Sequence, residues 1–305
     1  MLSDRIISTI KFFDLQDYPL TAFEVWRYLV SEVTPLKSLL DEHFELKFNP
    51  NPITPVPVHF DTILGQLEAL VESGSLVMVN GFYTFPHRKV TIGTRLTNYR
   101  FGIKREQRIK RYLSFTRHLP FVRAISLAGS QAMGLQRKTS DIDLLIITDQ
   151  NFMWMARTFL TIYFHIFGVR RHGKKISNRF CLNHYIAQAR EVDAERNLYK
   201  GMEYSKLRAV VYPQVTKQFQ VANESWIKMF FPNMNFSQNF SKPISTTQKF
   251  LEKLFNHRVG LWVESQLGKI QLNRIKQDKF IFVKEDELSF HPESKHEALL
   301  SGFFS

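Results

Sequence analysis

Apolar residues recur at helical spacing from the start of the chain: Ile6, Ile7, Ile10 and Phe13 mark one amphipathic helix, Val25, Leu29 and Val30 a second. Thr21 and Glu24 stand three apart after Pro19, the capping-box relation that opens a helix. Beyond a proline-punctuated connection, Asn49 to Pro57, the stripe Ile63, Leu64, Leu67, Leu70 and Val71 predicts a third helix that Gly74 stops. Two β-rich runs, Leu76 to Val79 and Phe82 to Phe85, then flank Asn80-Gly81, the dipeptide preferred at a two-residue hairpin. From Thr91 to Leu119 runs a long polar helix with Ile109, Tyr112, Leu113 and Leu119 as its buried side, closed by Pro120. Strand patterns at 122–128, 142–148 and 180–187 then alternate with helical ones at 129–135, 152–167 and about 190–210, which indicates an α/β unit. After residue 215 the pattern is helical, with Leu251, Leu254, Phe255, Leu261 and Trp262 as its stripe. Phe280 to Val283 is a short extended run, and Ser289 to Pro292 reads as a turn with His291 on the surface.

The expected division is 1–88, 89–214 and 215–305. Helix, helix, helix, hairpin is an order that resembles a winged helix-turn-helix, which implies DNA contact through the third helix. The solvent side of that helix offers Asp61, Gln66, Glu68 and Glu72, however, and acids repel phosphates. A scaffold or protein-contact role is the favoured expectation for this segment.

Composition narrows the classes. Of 305 residues, 44% are apolar and 23% charged, and no repeat or low-complexity run appears, which excludes wholesale disorder and solenoids. A single cysteine, Cys181, excludes an intramolecular disulfide and any Cys-rich zinc site, and fits a reducing compartment. The first residues lead into an amphipathic stretch rather than a signal sequence. The most apolar window, Phe152 to Val169, contains Arg157 and His165 and reads as a buried helix. A soluble, cytoplasmic protein without membrane contact is expected. The net charge of +13 is concentrated: residues 87–123 carry eleven Lys/Arg against Glu106 alone, and residues 168–179 carry Arg170, Arg171, Lys174, Lys175 and Arg179 against no acid. Such segments suit polyanions, either nucleic acid or the triphosphate of a nucleotide.

The chemistry concentrates between Ser126 and Thr148. Asp141 and Asp143 lie two apart at the start of an apolar strand, so both side chains leave the same sheet face. Carboxylates this close repel unless a cation sits between them, and Mg²⁺ or Mn²⁺ is the natural partner for oxygen ligands. Leu144 to Ile147 is apolar without alternation, as in a central strand buried on both faces. Gly129-Ser130, at the exit of the preceding strand, opens a short helix. Glycine permits close backbone approach, while helix-start amides and the Ser130 hydroxyl can hold phosphate oxygens.

Gly-Ser-x-Ala-x-Gly (129–134) followed by Ser-Asp-Ile-Asp-Leu (140–144) resembles the nucleotidyltransferase superfamily typified by DNA polymerase beta, in particular its small bacterial and antibiotic-modifying branches. The resemblance implies an α/β (α+β) fold: a small mixed-sheet nucleotidyltransferase core, with a winged-helix-like domain before it and a helical segment after it. It also implies transfer of a nucleoside monophosphate from an NTP to a hydroxyl of a small molecule, protein or nucleic acid, with release of pyrophosphate. Asp141 and Asp143 would bind two metal ions, Gly129 and Ser130 would cradle the β- and γ-phosphates, and Arg137, Lys138 or the basic loop would steady phosphates or acceptor. The family places a third carboxylate on the next strand, where this sequence offers Asn183, a ligand without charge and a poor base. Asp193, Glu195 and Glu203 are alternatives for that acid, and a shift of one residue would bring His184 inward. The departure leaves open an impaired nucleotide-binding or DNA-binding regulator. A metal-dependent glycosyltransferase also uses Asp-x-Asp, but would not call for Gly129-Ser130 upstream.

Overall fold

Local sequence accounts for the N-terminal elements in this computed structural model, which describes residues 1–33, 40–41, 56–192, 196–237, 244–275, 282–284, 286–290 and 294–305, of which 183, 282 and 294–296 are described by backbone alone. Helix α1 (Leu2–Asp14) buries Ile6, Ile10, Phe12 and Phe13. Helix α2 (Ala22–Arg27) starts at the expected box: the Glu24 N–H donates to Thr21 Oγ1 at 3.3 Å, and the Thr21 N–H donates back to Glu24 Oε2 at 3.0 Å. It ends before Leu29 and Val30, which are buried without being helical, because the Val30 N–H turns to Thr9 Oγ1 at 2.9 Å. Helix α3 (Phe60–Glu72) buries Ile63, Leu67 and Leu70. Strands β2 (Val77–Val79) and β3 (Phe82–Thr84) pair across Asn80-Gly81, both residues at positive φ, 53° and 79°. Strand β1 (Leu20–Thr21) completes that sheet beside β3, a pairing too short for any periodic signal. The expected Asn49 to Pro57 connection lies largely outside the described residues.

Helix α4 (Val90–Thr116) leads into the central sheet, whose order is β7-β4-β5-β6-β9-β8. Strand β4 (Val122–Leu127) pairs antiparallel with β5 (Ile142–Thr148), and β5 pairs parallel with β6 (Phe180–Ala187). The parallel pair requires a crossover, which α6 (Met153–Ile166) provides. One sheet face, with Ala124, Leu145, Ile147 and Ile186, packs against the N-terminal helices and residues 198–236. The other, with Ile125, Leu127, Leu144 and Ile146, packs against α4 and α6. Burial on both faces is why β5 reads as an unbroken apolar run.

Two expectations change at the periphery. The helix predicted around 190–210 is shorter, α7 (Leu198–Ser205), because Arg208–Val211 forms strand β7 on the free edge of β4. The extended run expected at Phe280 to Val283 contains β8 (Phe282–Val283), which together with β9 (Glu287–Ser289) extends the sheet beyond β6. The predicted stripe divides: Phe255 packs against Phe121 and Phe159, but the rest of it turns largely outward. Leu254, Leu261 and Trp262 of α10 (Thr246–Phe255) and α11 (Arg258–Ile275) are exposed, and α11 packs toward α6 with Val263, Leu267, Gly268 and Glu264. There a Cβ on Gly268 would come within 3.0 Å of the Trp154 ring, and Glu264 accepts the Trp154 and Met155 N–H groups at 2.7 Å each, capping the start of α6. His291 lies outside the described residues.

Candidate active site

The two halves of the motif meet at one glycine. Gly129 begins the short helix α5 (Gly129–Met133) at φ +53°, a backbone state that side chains resist. A Cβ there would fall 2.6 Å from Asp143 Oδ2, so the carboxylate occupies the space that glycine leaves. The Ala128 N–H donates to the Asp143 carbonyl at 3.0 Å, locking the start of α5 to the mouth of β5. Gly134, at φ +77°, ends this helix after one turn and lets the chain return to β5. Asp141 and Asp143 are partly exposed at that mouth, and Ser130 is partly exposed one residue beyond Gly129.

Strand β6 supplies a residue that the sequence did not single out for the site. Cys181 pairs in register with Asp143, but His184 pairs with Leu145, so three steps on β6 match two on β5. This bulge at Leu182-Asn183 re-phases the strand and turns Cys181 toward the acids. Ligand atoms of Asp141, Asp143 and Cys181 lie within 4.8 Å of one another. Burial, with the charges of Asp143 and Asp141 adding and Arg171 opposing, pushes the Cys181 thiol up to about 12. Arg171, from the basic loop, donates through Nη1 to Asp141 Oδ2 at 2.5 Å and to Cys181 Sγ at 3.4 Å. A cation therefore already rests on one acid and the thiol together. Two carboxylates and a thiol with ligand atoms within 4.8 Å of one another are a donor set that fits a divalent ion.

The wider shell is basic and aromatic. Arg105 is the buried arginine of α4; its Nη2 donates to the Arg137 carbonyl at 3.1 Å, while Nη1 has no hydrogen-bond partner among the described residues. Burial lowers its pKa, Arg108 adds to that effect and Asp141 opposes it. Tyr199 of α7 is near enough to Asp143 for that charge to add to burial and Glu203 in raising its phenol pKa. Neither residue carries a distinguishing signal in the sequence: Arg105 is one of eleven Lys/Arg in 87–123, and Tyr199 is one of ten tyrosines.

Of the expected residues, Gly129, Asp141 and Asp143 come together. Arg137 and Lys138 are exposed on the loop before β5: Arg137 stands 3.8 Å from Asp17, and Lys138 lies 5.2 Å over the Phe101 ring. Asn183 sits at the bulge, with its side chain outside the described residues, as are Asp193 and Glu195 altogether. Glu203 is buried in an ion pair with Lys200 at 3.2 Å. His184 is a buried strand histidine, its Nε2 3.0 Å from Glu287 Oε1 of β9.

A family of known proteins, described as the nucleotidyltransferase domain, matches residues 107–287, from within α4 to the start of β9. The chain belongs to this family. Its membership is in the DNA polymerase beta-like superfamily that the Gly-Ser and Asp-x-Asp motifs resemble, and the matched residues contain Gly129, Ser130, Asp141, Asp143, Arg171 and Cys181. Comparison of this nucleotidyltransferase with curated proteins and with solved structures gave no match. Among the described residues, no helix is long and apolar enough to cross a membrane.

Proposed function

We propose that this protein is a divalent-metal-dependent nucleotidyltransferase that moves an NMP from an NTP to a hydroxyl acceptor and releases pyrophosphate. The observation that carries the reading is the Asp143 carboxylate lying in the space left by Gly129, which puts the acids and the start of α5 in one cleft. Mg²⁺ or Mn²⁺, when bound at Asp141 and Asp143, supplies charge neutralisation of the triphosphate and a lowered pKa for the acceptor hydroxyl. The Ser130 hydroxyl and the first amides of α5 hold β- and γ-phosphate oxygens. Arg137 and Lys138, exposed at the rim, draw the phosphates in and screen them. The acceptor hydroxyl loses its proton to solvent as its oxygen attacks the α-phosphorus in line, the bond to the bridging oxygen breaks, and pyrophosphate leaves with that electron pair. Strand β6 supplies the third group of the site, from Asn183 or from Cys181 two residues before it. The N-terminal residues 1–88 act as a winged-helix-like scaffold, 89–214 as the core and 215–305 as a mostly helical continuation; a cytoplasmic location agrees with the lone thiol.

Labelled NTP incubated with Mg²⁺ or Mn²⁺ is expected to release pyrophosphate in the wild type and not in Asp141→Asn or Asp143→Asn. Unchanged release in both variants would refute the assignment. A thiol rather than a carboxylate opposite Asp143 favours one second reading, a regulator that binds nucleotide, or DNA, without turnover. Its signature is retention of labelled NTP with no pyrophosphate formed by the wild type.

A further inference from the structure

We infer that Cys181 is the third side-chain ligand of the Asp141–Asp143 cation site, and that its sulfur turns the site toward borderline dications of the Mn²⁺, Co²⁺ and Zn²⁺ class over Mg²⁺. The inference rests on the proposed metal-dependent reading and narrows it from any divalent ion to a class.

Two independent features place the thiol there. The bulge in β6 sets Cys181, not Leu182, opposite Asp143, and an unbroken register counted back from the His184–Leu145 pair would have put Leu182 at that position. Bulges beside active sites commonly re-aim a side chain, and here the result is a ligand atom within 4.8 Å of both carboxylates. The second feature is the guanidinium. Arg171 Nη1 touches Asp141 Oδ2 and Cys181 Sγ at once, so the lone pairs of oxygen and sulfur already converge on one positive group. The Arg171 side chain is 42% exposed and belongs to the loop before β6, so it can withdraw into water when a stronger cation takes those atoms. Asn183 occupies the bulge itself, out of register with Asp143.

The donor set then decides the ion. Mg²⁺ holds hard oxygen ligands in strict octahedral geometry and gains little from sulfur. Zn²⁺ and Co²⁺ bind thiolate well, and the divalent series favours them over Mn²⁺ at mixed sites. Binding forms a metal–sulfur bond as the thiol proton passes to solvent, with no electron transferred.

Titration of the metal-free protein with Co²⁺ tests this without any turnover assay. The expected result is a sulfur-to-cobalt charge-transfer band in the near ultraviolet, saturating at one thiolate per site. Cys181→Ser is expected to remove the band and weaken Co²⁺ and Zn²⁺ binding by about tenfold or more, with Mg²⁺ affinity nearly unchanged. Cys181→Asp is expected to reverse the preference, raising Mg²⁺ affinity by roughly tenfold. Asn183→Ala is expected to keep the band. Co²⁺ binding that depends on Asp143 but shows no charge-transfer band would overturn the thiol ligand and leave the metal-dependent reading intact. No divalent ion bound by the wild type, or binding indifferent to Asp141→Asn and Asp143→Asn, would overturn both. The wild-type spectrum decides the matter even where a variant fails to fold.

Discussion

Gly129→Ala tests the central geometry with one methyl group. The backbone there has φ +53°, and a left-handed residue with a side chain costs about 1–2 kcal/mol. That alone lowers the melting temperature by a few degrees in a chain of this size, roughly 2–4 °C per kcal/mol. The larger effect is on the site. The new Cβ would stand 2.6 Å from Asp143 Oδ2, whereas ordinary contact begins at 3.4 Å, so the carboxylate must retreat by most of an ångström. Misplacement on the order of 1 Å costs about a hundredfold in rate. Pyrophosphate release with labelled NTP is therefore expected to fall about a hundredfold, and Mn²⁺ binding by calorimetry to weaken in parallel. Gly134→Ala is the matched control, because Gly134 also has positive φ (+77°) but its Cβ would meet only the edge of the Tyr18 ring at 3.9 Å. That variant should lose comparable stability and keep activity within about threefold, an upper bound set by strain without displacement. Equal losses of activity in the two variants, or none in Gly129→Ala, would refute the close-approach argument.

Arg171→Met removes the guanidinium that competes for Asp141 and Cys181, so metal affinity measured by calorimetry should rise several-fold. Weaker binding would show that Arg171 organises the ligands rather than competing for them. Glu264 gives a pH dependence. Burial outweighs the Trp154 and Met155 N–H donors and raises its pKa from 4.5 to about 7. The folded protein thus keeps this proton up to near pH 7 while the unfolded chain loses it near 4.5, so stability falls as pH rises through that window. The melting temperature of Glu264→Gln should lack this part of the decline, on the order of 1–2 kcal/mol; parallel curves for variant and wild type would refute it.

Much of the molecule is dictated locally. The apolar run Leu144 to Ile147, the Thr21–Glu24 box and the Asn80-Gly81 turn each form what their residues prefer, because neighbours within a few positions supply the hydrogen bonds and dihedrals. Gly129, Ser130, Asp141 and Asp143 were legible for the same reason: they lie within one strand–turn–strand unit. The edges of the sheet were not. Strands β7 and β9 are short, and β4 and β6, on which they pair, lie far away in the chain, so no period announces them; β8 falls within the extended run read at Phe280 to Val283. The Leu254, Leu261 and Trp262 stripe misled because α11 turns a different face toward α6, with Val263 and Leu267 beside the small Gly268 and the capping Glu264.

Sequence alone therefore determined the nucleotidyltransferase core and the acids at its mouth, since alternation on a strand dictates which side chains share a face. Only the tertiary structure decided what joins them. A single extra residue in β6 changes which side chain meets Asp143, and a loop thirty positions from Asp141 lays Arg171 on that acid and on the thiol. Register between strands and the approach of a distant loop are set by packing across the sheet, which no local pattern encodes.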